Sequence, residues 1–108
     1  MRLALPFLLL ALLGAACSRG KEAGGLVARG QMVYQNNCTA CHARDPRELG
    51  PVGPALAGAS LELVTDKVLR NEYPPGYKPQ RDTRAMVPLA YLEPELPAIA
   101  AYLESLKK

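Results

Sequence analysis

Residues that bind metals are scarce in this chain: it has one histidine and three cysteines in 108 residues. A structural zinc site takes about four Cys or His ligands, and outside the N-terminal region only Cys38, Cys41 and His42 are present. That set is one ligand short, so zinc is set aside. Net charge is also low. A formal value of +3 is too small to argue for a nucleic-acid surface or an anionic membrane as partner. No stretch alternates apolar and polar residues convincingly, and no internal repeat is present, so the chain is not expected to form sheets or solenoids. No apolar run reaches the roughly 20 residues that a bilayer-spanning helix needs.

The longest apolar run, residues 3–13, is preceded by Arg2 and followed by Gly14, Ala15 and Ala16. A short positive region, an apolar stretch and small residues are the layout of a secretory signal, so residues 1–16 are read as a signal peptide and the protein as exported. The small residues running into Cys17 resemble a bacterial lipobox, in which the cysteine is lipidated and becomes the mature N-terminus. Ordinary cleavage near Ala16 is the alternative. Both place the mature protein in the periplasm or on the outer face of a membrane. Removing residues 1–16 leaves 92 residues and takes the charge from +3 to +2. A domain that small often needs a cofactor to complete its core.

Residues 17–25, CSRGKEAGG, carry no bulky apolar side chain and read as a flexible tether, with the domain spanning residues 26–108. Val27, Gly30 and Tyr34 share one face of a helix ending near the cysteines. Gly30 costs about 1 kcal/mol in a helix relative to Ala, so another helix is expected to cross closely there. Residues 43–59 hold too many Pro and Gly for regular structure, and are either an ordered loop or a floppy one. Ser60 caps a second helix over residues 61–70, with Leu61, Val64 and Val68 on one face and Glu62 in the first turn. Residues 71–88 are a long Pro-rich loop. Leu92, Leu96, Ile99, Leu103 and Leu106 form a three-four repeat, with Pro94 or Pro97 in the first turn and Lys107 and Lys108 at the end favoured by the helix dipole. The fold class is all-α, with three to four short helices.

The stretch CTACH, residues 38–42, has four readings. A thioredoxin-like dithiol needs a βαβ context that is absent, and zinc lacks a ligand. A Cys38–Cys41 disulfide suits an exported protein but leaves His42 unexplained. C-x-x-C-H is also the attachment motif of c-type haem: two thiols on a helical turn form thioethers with the vinyl groups, and the next residue's imidazole reaches the iron from the same side. On this reading Cys38 and Cys41 hold one covalent haem c and His42 is the proximal iron ligand. The single histidine excludes bis-His ligation. Met1 leaves with the signal, and Met32, on the helix leading into the motif, is assigned to the core. Met86, late in the Pro-rich loop, is therefore the candidate sixth ligand.

CTACH followed by GPVGPALAG, then MVP and LPAIAAYLESL, resembles a small class I cytochrome c of the bacterial periplasmic kind, mono-haem and His/Met-ligated. The resemblance covers nearly all of the mature domain. It implies the cytochrome c fold and a Pro54 carbonyl that accepts from the second ring nitrogen of His42. It also implies Met86 as axial methionine, and a crossing of the first and last helices near Gly30, Tyr34 and Tyr102. The usual Met-Pro pair is here interrupted by Val87. Tyr73, Tyr77, Arg81 and Arg84 either bond the haem propionates or are exposed.

The implied function is one-electron transfer in a respiratory chain, without enzymatic activity, by a monomer that meets redox protein partners and uses no nucleic acid. Leu56, Leu61, Val64, Val68 and Leu89 are expected to wall the haem. Lys67, Arg70, Lys78, Arg81 and Arg84 either steer docking or are simply solvated. Two other readings stand: a cytochrome subunit of a periplasmic oxidoreductase such as a sulfite dehydrogenase, and a haem gas sensor with a labile distal ligand.

Overall fold

A computed structural model describes residues 19–81 and 83–108, with side chains described from Gly24 onward. The signal peptide, residues 1–16, and the lipidation of Cys17 lie outside the described residues. Among the described residues three α-helices follow one another: α1 (Arg19–Asn37), α2 (Leu61–Arg70) and α3 (Leu96–Ser105), the last preceded by a 3₁₀ segment (Ala90–Glu95). Among the described residues there is no strand. The all-α class expected from the sequence is the one observed.

The packing of α1 against α3 is the centre of the molecule. Gly30 makes it possible: a Cβ there would run into the Ala98 carbonyl and the Tyr102 Cβ. Tyr34, with no exposed surface, meets Tyr102 with ring centroids 5.7 Å apart and planes tilted by 59°, a favourable aromatic arrangement. Arg29 and Glu95 form an ion pair between α1 and the 3₁₀ segment; its exposure keeps its contribution small.

Two expectations about α1 are corrected. It begins at Arg19 rather than near Leu26, so residues 19–25 of the expected tether have helical backbone. Extending a formed helix costs far less than nucleating one, and Gly24 and Gly25 need no packing to join it, having nothing within 4 Å. Met32 is 52% exposed and not part of the core. Two residues beyond Gly30, on a helix of 3.6 residues per turn, it points away from α3.

The start and stop of α2 follow its capping residues. The Ser60 hydroxyl accepts from the Leu63 N–H at 3.1 Å, and Asn71 closes the helix in the left-handed region at φ 52°, which Asn tolerates better than most residues. Val64 and Val68 are buried, but Leu61 is 49% exposed. Leu61 lies on the same side of α2 as Val68 but in the first turn of the helix, where it is not covered.

Across the 3₁₀ segment, α3 and its cap the repeat keeps one buried face: Leu92, Leu96, Ile99 and Leu103 are buried and Leu106 half-buried. Pro94 falls in the 3₁₀ segment and Pro97 in the first turn of α3, where a missing N–H has no cost. Lys107 and Lys108 lie beyond the last turn. Residues 43–59 are ordered by backbone bonds: the Pro46 carbonyl accepts from Leu56 and Ala57 at 2.7 and 3.0 Å, and Gly58 N–H donates to Leu103 at 2.7 Å.

Candidate haem site

The CTACH turn extends the helical bonding of α1. Cys38 N–H donates to the Tyr34 carbonyl and His42 N–H to the Cys38 carbonyl, both at 2.9 Å. These are i to i−4 bonds, so Cys38, Cys41 and His42 sit on one helical turn, and all three line one cleft. The Tyr34 hydroxyl donates to the Ala43 carbonyl at 2.5 Å and pins the chain where it leaves the turn. Cys38 is half-buried, Cys41 exposed, and both are free thiols, so the disulfide reading is not realised. Burial pushes the Cys38 thiol up to about 11, which keeps it protonated at neutral pH.

His42 is held in a ligand-ready state. Its Nδ1–H donates to the Pro54 carbonyl at 3.0 Å, which leaves Nε2 with a bare lone pair. Burial lowers the imidazole's pKa; the Pro54 bond opposes this, and the charges of Arg81 and Lys67 add to it. A neutral imidazole of fixed tautomer is the form that binds iron. Gly53 and Gly50 make room for it. A Cβ on Gly53 would collide with the His42 ring, and one on Gly50 with the Cys41 carbonyl and the His42 backbone. Sequence reading took both only as helix breakers; the signal that could have marked them is their place in GPVGP, immediately before Pro54.

The cleft encloses about 260 Å³. Met86, half-buried and packed against the core cluster, lines it from a segment of chain separate from CTACH, together with Leu56, Val64, Val68 and Leu89. Leu63 lines it where Leu61 was expected, and Met32 does not line it. Tyr73 and Tyr77 stack at 5.4 Å with nearly parallel rings, and both face the cleft. Lys67 lies over the Tyr73 ring at 4.2 Å and donates to Asn71 Oδ1 at 2.6 Å. Arg81 donates to the Gly50 and Val52 carbonyls at 3.0 and 2.9 Å, while Arg84 is exposed. Arg70 pairs with Asp66 and, at 3.6 Å, with Glu72. Of the positive charges between residues 67 and 84, Lys67, Arg70 and Arg81 thus serve contacts within the domain.

This donor set fits a covalently held haem: two free thiols and a neutral, oriented imidazole on one turn, a thioether in the same cleft, and apolar walls. Among the described residues no group of three or more His, Cys, Asp or Glu gathers to hold a bare metal ion.

None of the curated proteins compared with the chain matches it. The sequence model of the family described as cytochrome c matches residues 27–107, from the buried face of α1 through CTACH to the end of α3. With three quarters of its length covered by that match and the attachment turn in place, the chain belongs to the cytochrome c family, whose members carry covalent haem c and exchange electrons with redox protein partners.

Proposed function

We propose that the chain is a class I cytochrome c with His42 and Met86 as axial ligands, a one-electron carrier in a periplasmic or membrane-surface respiratory chain. The observation that carries this reading is that Met86 and a neutral, Pro54-oriented His42 line the same cleft. Bound through Cys38 and Cys41, haem c supplies a reversible one-electron iron couple. The Met86 thioether favours the ferrous state and raises the potential relative to a second histidine. Leu56, Val64, Val68 and Leu89 keep water from the iron and disfavour the more highly charged ferric state. With His42 and Met86 both holding the iron, no position on the metal would be left for a substrate, which suits a carrier rather than an enzyme.

The signal-like residues 1–16 and the lipobox-like approach to Cys17 support export and anchoring at a membrane surface. A second reading, a cytochrome subunit of a periplasmic oxidoreductase such as a sulfite dehydrogenase, is favoured by Val52 and Val87. They line the cleft yet are 41% and 70% exposed, an apolar rim suited to a permanent partner. Copurification of a catalytic chain with the native protein selects that reading.

The test is the visible spectrum of the purified protein, oxidised and reduced, with and without carbon monoxide, on wild type and Met86→Ala. A low-spin protein that shows a thioether-to-ferric band and ignores carbon monoxide, beside a mutant that binds it, supports His/Met ligation. A wild type that binds carbon monoxide readily moves the gas-sensor reading into first place.

A further inference from the structure

The Pro54 carbonyl that orients His42 lies in a stretch with three carbonyls held by side chains from the Met86 loop. Arg81 Nη1 donates to Gly50 and Val52 at 3.0 and 2.9 Å, and Gln80 Nε2 donates to Ala55 at 3.1 Å. These bonds join segments about 30 residues apart, and both donors lie within six residues of Met86. Further along the same loop, Asn71 Nδ2 donates to the Arg84 carbonyl at 3.1 Å, which ties it to the end of α2.

We propose that Arg81, assisted by Gln80, is a positioning residue that couples the two axial sides of the site. By clasping residues 50–55 it holds the His42-orienting loop and the Met86-bearing loop at a fixed separation. Outer-sphere electron transfer is fastest when the ligand geometry changes least between oxidation states, and a strut between the two loops limits that change. One nitrogen bridging two carbonyls is a charge-assisted contact, stronger than a neutral bond. A planar guanidinium is better suited to it than an amide, and a lysine ammonium can replace it in part.

The proposal rests on Met86 as the sixth ligand for its consequence at the iron, but the clasp itself can be read without it. The experiment compares haem-loaded wild type with Arg81→Gln, Arg81→Lys and Gln80→Ala. Three quantities are followed: amide hydrogen exchange at Val52, Gly53, Tyr77 and Leu89, the rate at which the ferrous protein binds carbon monoxide, and the reduction potential. Loss of the Arg81 bonds is expected to raise exchange on both loops about tenfold, or about 1.4 kcal/mol, and to speed carbon monoxide binding by a similar factor. Arg81→Lys should recover most of both changes. Gln80→Ala, a milder change should Arg81→Gln load haem poorly, is expected to shift both in the same direction by less.

Unchanged exchange at Val52 and Gly53 overturns the clasp. Faster exchange at residues 50–55 alone, with Tyr77, Leu89 and carbon monoxide binding unmoved, overturns the coupling. A shift in reduction potential in Arg81→Gln with no loss of amide protection also overturns it, because charge alone then accounts for Arg81. If wild type and Met86→Ala bind carbon monoxide alike, the ligand assignment fails, and exchange on both loops alone decides for or against the clasp.

Discussion

Residues 43–59 and residues 71–88 both border the cleft and both lack regular structure, yet they are held by different bonds. In the first segment backbone holds backbone: the Cys41 carbonyl accepts from Val52 and Gly53 at 3.2 and 2.7 Å, and the Pro46 carbonyl accepts from Leu56 and Ala57. In the second, side chains carry most of the long-range ties, through Asn71, Gln80 and Arg81. A wall held mainly by backbone is indifferent to most of its own side chains, and apart from the Arg81 and Gln80 ties it is most vulnerable where a Cβ has no room. A wall held by side chains depends on which residues are present, so the part of the site that carries Met86 is the part substitution can most readily tune.

The most disruptive single change to the backbone-held wall is expected to be Gly53→Ala. The added methyl meets the His42 ring, and overpacking of this kind costs about 1–3 kcal/mol. Haem absorbance per chain in the purified protein should fall, and a full haem complement with an unchanged reduced spectrum would show that the loop can yield. Tyr34→Phe keeps the shape of the core but strips the half-buried Ala43 carbonyl of its partner. A loss of about 1 kcal/mol is expected, read as a Tm lowered by roughly 4–8 °C.

Asn71→Gly sharpens the contrast on the other wall. Glycine accepts the left-handed cap while releasing the Arg84 carbonyl, so proteolysis within residues 71–88 should quicken even though Tm hardly moves. A matching drop in Tm would mean that this loop and the helices unfold together. Val87→Ser should do least. At 70% exposure it is expected to stay within about 0.5 kcal/mol by denaturant titration, and a larger loss would place Val87 in the core.

Much of the backbone-coded half was legible in the sequence. Ser60, the Leu92–Leu106 repeat and the out-of-place Gly30 each report a local rule, and each appears in the structure where that rule puts it. CTACH stood out because thioether attachment demands fixed spacing, and the structure brings Cys38, Cys41 and His42 to one cleft. Leu61 and Met32 were misjudged for different reasons: Leu61 shares the face of the buried Val64 and Val68 but lies in the exposed first turn of α2, and Met32, placed in the core by its helix alone, lies on the side of α1 away from α3. Gly53 as the seat of the imidazole was marked only by its place before Pro54, and Arg81 as a tie was not legible at all. A contact between a side chain and a carbonyl some 30 residues away leaves no periodic trace, and a glycine needed for space looks the same in sequence as one needed for a turn.

The Pro-rich character of residues 71–88 bears on the unfolded chain as much as on the folded one. Pro75 and Gly76, with Gly76 at φ 78° and Tyr77 N–H bonded to the Pro74 carbonyl at 3.1 Å, form a turn whose first angle proline has already set. Pro74, Pro79 and Pro88 restrict the segment further. A well-placed proline lowers the entropy of the denatured ensemble by about 0.4–1 kcal/mol. Before folding begins, then, the loop that carries the candidate sixth ligand has fewer conformations to give up, which is how a few side-chain bonds suffice to keep it in place.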